Sequence, residues 1–233
     1  MKLIAIGDIH GRDIWKHIVT KEYDADKIIF IGDYFDTKDD ISGDQQIENF
    51  KEIVSFKTKY PEKFVLLIGN HDFHYLKSTE DRYSGYQNDY ADAISRLLHN
   101  VMEKGLMQMC FVRDNLLFVH AGVTKTWCRA NKIDLNDLEN AINTLFKKNP
   151  NAFEFTKGKA HNLFGDEKCQ TPIWVRPKSL KEDKIDKFIQ IIGHTQVPFV
   201  KVSDGLIIID ALSTVDEYLS VTDGLVNVER LTH

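Results

Sequence analysis

The feature that most constrains this chain is a set of short apolar runs that each stop abruptly at a glycine, carboxylate, amide or imidazole residue. Leu3–Ile6, Lys27–Ile31, Phe64–Ile68, Leu116–Val119 and Ile189–Ile192 are strand-length, rich in β-branched residues, and alternate too little to have one face in water. They read as buried strands of a central sheet. Between and after the early ones lie helix-like stretches at Arg12–Thr20, Asp44–Lys59 and Gln87–Lys104; the last spaces Ala91, Ile94, Leu97, Leu98, Val101 and Met102 along one helical face. Strand alternating with helix implies helical layers covering a sheet.

The last quarter changes character. Phe199–Val202, Leu206–Ile209, Tyr218–Val221 and Val226–Arg230 are strand runs separated by few residues, and Ser203-Asp204-Gly205 and Thr222-Asp223-Gly224 are Asp-Gly hairpin turns. Arg113-Asp114-Asn115 reads as a further hairpin loop between Cys110–Val112 and Leu116–Val119. The expected fold is therefore α/β (α+β): a β-sandwich of two mixed sheets, partly parallel and partly hairpin-built, flanked by helices. At 233 residues the chain fits one domain, residues 1–233, with 132–171 read as an insertion or cap made of a helix over Asp134–Lys148 and a polar irregular tail.

Composition narrows the function classes. Thirty Lys and Arg against 35 Asp and Glu leave a net charge of −5, which argues against an extended nucleic-acid surface. No run approaches the ~18 apolar residues of a membrane span, and the four-residue apolar stretch after Met1-Lys2 is too short for a signal-peptide core. The three cysteines, Cys110, Cys128 and Cys169, are widely spaced, form no C-x-x-C pair, and fit reduced thiols in a cytoplasmic protein.

The chemistry sits where the runs stop. Gly7-Asp8-Ile9-His10-Gly11, Gly32-Asp33-Tyr34-Phe35-Asp36, Gly69-Asn70-His71-Asp72, His120-Ala121-Gly122 and Gly193-His194-Thr195 each follow a strand directly. Loops at the carboxyl ends of strands in α/β sheets converge on one crevice. Any one of these segments is weak evidence. Together they deliver imidazoles and carboxylates suited to Mn, Fe or Zn, and burying so many polar groups without a cation would cost several kcal/mol each.

The order Asp-x-His, Gly-Asp-x-x-Asp, Gly-Asn-His-Asp, His-Ala-Gly, Gly-His-Thr resembles the calcineurin-like metallophosphoesterase superfamily, in particular its phosphoprotein-phosphatase branch with bacterial and phage members. The motifs run from residue 7 to 195. The resemblance implies two divalent metal ions, manganese first with iron or zinc as alternatives, held about 3.5–4 Å apart at one end of the sandwich. It implies that Asp8 and His10 bind the first ion, Asp33 bridges both, and Asn70, His120 and His194 complete the second. It further implies hydrolysis of phosphate esters through a metal-bridging hydroxide, with His71 as general acid and Asp36 as the carboxylate that orients it. The substrate is then a phosphorylated protein or a small phosphate ester.

The pattern also departs from the branch. Thr37-Lys38 and Phe73-His74-Tyr75 stand where the protein phosphatases carry phosphate-gripping arginines. Ile173-Trp174-Val175-Arg176-Pro177 looks like the family's Trp-x-Arg segment, making Arg176 the leading phosphate contact, with His74 and Lys38 as further candidates at the rim. Gly69–Leu76 and His120–Trp127 are similar to segments of symmetrical diadenosine tetraphosphate hydrolases. A nucleotide hydrolase or phosphodiesterase is thus the alternative, with Tyr34, Phe35, Phe73, Tyr75, Tyr83, Tyr86 and Trp127 as a stacking wall. The segments 77–89 and 132–171 are the expected substrate selectors.

Overall fold

The structure is a computed structural model that describes residues 1–77, 84–156, 162 and 164–232. In chain order its elements are β1 (Lys2–Ile6), α1 (Trp15–Lys21), β2 (Lys27–Phe30), α2 (Gly43–Lys59), β3 (Phe64–Leu67), α3 (Asn70–Leu76), α4 (Ala91–Glu103), β4 (Met107–Gln108), β5 (Cys110–Arg113) and β6 (Leu116–Val119). There follow α5 (Lys125–Ala130), α6 (Leu138–Lys148), a 3₁₀ turn (Pro150–Phe153), α7 (Pro177–Asp183), β7 (Ile189–Ile192), β8 (Lys201–Ser203), β9 (Leu206–Ile208), α8 (Leu212–Val215), β10 (Glu217–Thr222) and β11 (Leu225–Arg230).

The expected sandwich of two mixed sheets is present. One sheet has the order β11-β10-β1-β2-β3-β4, the other β5-β6-β7-β9-β8. β1 through β4 are parallel, as are β6, β7 and β9, while β10, β11, β5 and β8 join by antiparallel pairs. The uniformly apolar runs take inner positions, with a strand on either side: β3 and β6 bury all four of their side chains. β1, β2 and β3 run the same way in one sheet, and β6, β7 and β9 run the same way in the other. The loops that follow them line one crevice.

Local chemistry explains the element ends. α2 starts at a capping box in which Ser42 Oγ accepts from Gln45 N and Gln45 Oε1 accepts from Ser42 N. The β10–β11 hairpin turns through Asp223 and Gly224, both at positive φ. The expected helix at Arg12–Thr20 begins later, at Trp15, because Arg12 N donates to Ile9 O in a turn that closes the β1 loop. The expected strand at Phe199–Val202 shifts to Lys201–Ser203, an exposed edge strand, with Phe199 outside it. α3, α5, α7 and α8 have seven residues or fewer, too short to show a helical period, and were not expected from the sequence.

Segment 132–171 packs into the fold over much of its length. Asn143 on α6 accepts from Met109 N at 2.8 Å and Glu139 from Val112 N at 2.7 Å, while Ile142 and Phe146 are buried. α6 thus covers the edge where the two sheets meet. Among the described residues no helix is long and apolar enough to cross a membrane.

Candidate functional site

The loops after β1, β2, β3, β7 and β9 line a pocket of 420 Å³ that contains Asp8, His10, Asp33, Asp36, Asn70, His71 and His194. His120, after β6, lies directly beneath it with no solvent exposure. The backbone that carries these side chains is unusual: His10, Asp33, Asp36 and His194 all have φ between 44° and 65°. Non-glycine residues in this left-handed region cost about 1–3 kcal/mol each and gather at functional sites. Asp72 helps to hold the loops, since its carboxylate accepts from the N–H groups of Asp33, Tyr34 and Gly69 at 2.8–2.9 Å. Gly69 and Gly193 are required by close approach, because a Cβ at either would overlap Oδ1 of Asp33 or of Asp8.

Hydrogen bonds to backbone carbonyls fix the tautomers of three imidazoles. His10 Nδ1 bonds Phe35 O at 2.7 Å, His120 Nδ1 bonds Ile31 O at 3.0 Å, and His194 Nε2 bonds Trp174 O at 3.2 Å. In each ring the bonded nitrogen carries the proton, so the other presents a lone pair. These lone pairs meet further acceptors. His120 Nε2 lies 2.9 Å from Asn70 Oδ1 and 3.3 Å from Asp33 Oδ2; His194 Nδ1 lies 2.7 Å from the same Asn70 oxygen; His10 Nε2 faces Asp33 Oδ2 at 3.9 Å. Ligand atoms of Asp8, Asp33 and His120 lie within 4.8 Å of one another. Acceptors that converge without a proton between them fit a cation, and the donor set fits a pair of divalent ions.

The electrostatics of two of the imidazoles agree. Burial pushes His10 and His194 below the usual imidazole range, with Arg176 adding to the effect on His194, which favours the neutral ligand form. Asp8 is raised well above the carboxylate range by burial and by Asp210 and Asp33. Burial also pushes Asp33 upward, but His120 and His71 in their protonated forms outweigh it and hold the group well below its ordinary value, a place that a cation takes when the rings are neutral.

Beside this cluster, His71 Nδ1 lies 2.9 Å from Asp36 Oδ2. Burial lowers the His71 pKa, yet the charges of Asp33 and Asp36 prevail and raise it. Arg176 is half-buried at the pocket wall, its Nη1 donating to His194 O at 3.0 Å and to Thr195 Oγ1 at 3.1 Å, and its Nε to Phe164 O at 2.9 Å. Lys38 is exposed at the rim.

The placement of His74 differs from the expectation. It does not line the pocket; it is 2% exposed, with Nε2 2.9 Å from Asp36 Oδ2, because it points inward from the same face of α3 as His71. Most of the proposed stacking wall is not available, and Tyr86 alone of its described members is half-buried, stacked on Tyr75. Tyr34 and Phe35 are fully buried against Phe50, while Phe73, Tyr75 and Trp127 are about 3% exposed; Tyr83 lies outside the described residues. Among the pocket residues that escaped the sequence reading, two carry charge next to a strand-end motif. Arg12, whose Nε pairs with Asp39 at 2.7 Å, follows the first motif directly, and Asp210 follows β9 as another strand-end carboxylate. Burial and then Asp33 raise Asp210 to about 6.

Comparison with known proteins places this geometry. The family model for calcineurin-like phosphoesterases matches residues 1–198. The serine/threonine-protein phosphatase PP1-delta of Caenorhabditis elegans is 38% identical over 73 residues, 30% of this chain and 22% of that protein. A probable serine/threonine-protein phosphatase of Encephalitozoon cuniculi is 27% identical over 128 residues, 52% of this chain and 26% of that protein. The matched regions thus cover about a quarter of these relatives. The cold-active protein-tyrosine phosphatase of a psychrophilic Shewanella superposes with a TM-score of 0.63 at 18% identity, covering 99% of this chain and 80% of that one. A serine/threonine phosphatase from Saccharomyces cerevisiae does so with a TM-score of 0.60 at 14% identity, covering 100% and 81%. At these identities the structural likeness shows a shared fold.

Proposed function

From the premise that this chain belongs to the calcineurin-like phosphoesterase family, we propose that it is a dinuclear metal-dependent phosphatase that hydrolyses phosphate monoesters, as the serine/threonine phosphatases do. The observation that carries the reading is the convergence of proton-free acceptors from His120, His194, Asn70 and Asp33 beside the His71–Asp36 pair. In this reading Asp8, His10 and Asp33 hold one ion, and Asp33, Asn70, His120 and His194 the other. Imidazole with carboxylate suits manganese, iron or zinc. Two such ions supply Lewis-acid charge for the phosphate oxygens and lower the pKa of water.

The chain's own residues do the rest. His71 donates Nδ1–H to Asp36, which leaves Nε2 as the remaining ring nitrogen of a side chain that lines the pocket. Protonated there, it delivers its proton to the departing alkoxide, and the Asp36 carboxylate stabilises the imidazolium beforehand. Arg176 and Arg12, both in the pocket lining, bind phosphate oxygens, with Lys38 at the rim. Residues 164–176 then act in substrate selection through the Phe164 carbonyl that orients Arg176. Burial of Tyr34, Phe35, Phe73, Tyr75 and Trp127 leaves them unable to stack on a base, which supports a monoester over a dinucleotide. The three free thiols suit a cytoplasmic location.

The test is to offer the Mn²⁺-loaded protein p-nitrophenyl phosphate, its bis-ester, a phosphopeptide and a dinucleotide polyphosphate. The reading expects turnover of the monoester and the phosphopeptide. Preference for the bis-ester or dinucleotide would replace it with the nucleotide reading, and no turnover of any would remove both.

A further inference from the structure

Asp36 has more partners than a single acid–orienter pair requires. Its Oδ2 lies 2.9 Å from His71 Nδ1 and 2.9 Å from His74 Nε2. Its Oδ1 accepts from the Tyr75 hydroxyl and, at 3.2 Å, from Gln87 Nε2. A carboxylate offers about four lone-pair sites; His71, Tyr75 and Gln87 hydrogen-bond to three of them, and the His74 ring closes off the rest of Oδ2 by close approach rather than by an aligned hydrogen bond. The two histidines stand three residues apart on α3, which puts them on one face, and their rings meet edge to face with centroids 5.5 Å apart. Only His71 reaches the pocket. His74 is walled in by Tyr75 and Tyr86, whose rings stack on each other.

Resting on the phosphatase reading above, we propose that His74 is a positioning residue: its imidazole, packed 2.9 Å from Oδ2, confines the Asp36 carboxylate to the orientation that aligns His71 for proton delivery. During the reaction the His71 Nε2–H bond breaks and an O–H bond forms on the leaving alkoxide, while His74 keeps its proton. Without the second imidazole, Asp36 can turn about its side-chain bonds and His71 follows it. A misplacement of ~1 Å at a reacting group costs ~10²-fold in rate. That loss applies only where the leaving group needs a proton, so an alkyl phosphate feels it and a nitrophenyl phosphate does not.

The experiment compares His74→Leu, which removes the polar contact with Oδ2, with His74→Gln, whose amide nitrogen stands near the position of Nε2. Expected for His74→Leu is a kcat/KM loss of ~10²-fold on an alkyl phosphate and under ~3-fold on p-nitrophenyl phosphate, with His74→Gln within ~5-fold of wild type on both. In the Zn²⁺-loaded protein, the downfield proton resonance of His71 Nδ1–H is expected to vanish in His74→Leu and persist in His74→Gln. Equal losses on both esters, equal impairment of both variants, or an unchanged resonance in His74→Leu would each overturn the proposal. If His74→Leu does not fold, His74→Asn, too short to reach Oδ2, takes its place with the same expectations. Wild-type protein inactive on both esters would contradict the phosphatase reading instead, and the resonance would still decide the role of His74.

Discussion

Asp210 gives the site a pH signature that can be isolated by one substitution. Its carboxyl is 7% exposed and raised to about 6 by burial and by Asp33, from an ordinary value of 3.8. Because the folded-state pKa is the higher one, the protonated group's contribution to stability is fully present below pH 3.8 and is lost as pH rises through 6. The two-unit difference corresponds to about 3 kcal/mol at the plateau, and about 2–3 kcal/mol accrues between pH 4 and pH 7. Asp210→Asn keeps the shape and removes the titration. In chelator, its Tm relative to wild type should therefore climb by roughly 5–10 °C from pH 4 to pH 7, at ~2–4 °C per kcal/mol for a chain of this size. The comparison cancels groups that do not feel Asp210; Asp8, which Asp210 helps to raise, falls with its removal and adds to the climb. Saturating Mn²⁺ should flatten the climb, because nearby cations favour the ionised carboxylate. Thermal unfolding by circular dichroism at half-unit pH steps reads the difference directly. A difference that stays constant with pH in chelator would refute the placement of Asp210 as a buried anion beside Asp33.

Other perturbations test separate parts of the site. His71→Asn should retain metal and melting temperature but lose ~10²–10⁴ in kcat on substrates with poor leaving groups; an unchanged rate on a phosphorylated alcohol would take His71 out of the mechanism. Arg176→Ala should lower kcat/KM by ~10–100-fold, and Arg12→Ala by less because Asp39 already holds its Nε; steady-state kinetics on one monoester separates the two. Gly193→Ala should reduce the metal content measured by mass spectrometry without adding any charge, since the new Cβ occupies the place of Asp8 Oδ1; full metal content would contradict the close packing of that loop.

The metal-ligand candidates were legible in the sequence because each follows directly on a strand whose apolar run is itself legible. Asp8, His10, Asp33, Asn70, His120 and His194 needed only the assumption that parallel strands end together. What the sequence hid depends on tertiary packing or on short helices. His74 looked like a rim residue because α3 is only seven residues long; once that segment is known to be helical, the three-residue spacing from His71 points it at Asp36. The aromatic residues near the strand ends gave no sign of which side of the loop they take, and Tyr34 and Phe35 turn inward onto Phe50 of α2. Arg12 carried a usable signal, adjacency to the first motif, but one basic residue after a loop is common on any surface. Segment 132–171 reads as an insertion because its polar tail is irregular, and the bonds from Asn143 and Glu139 to β5 and the residue before it are invisible without the fold.

The central claim is that the strand-end loops build a two-ion centre on which phosphate hydrolysis depends. The most direct test titrates metal-stripped protein with Mn²⁺ while bound metal and turnover of p-nitrophenyl phosphate are measured on the same samples. The account predicts that activity is absent in chelator, rises with bound metal and levels off at about two equivalents per chain. Asp33→Asn should abolish that plateau. Full activity in chelator, or a plateau below about one equivalent, would contradict it.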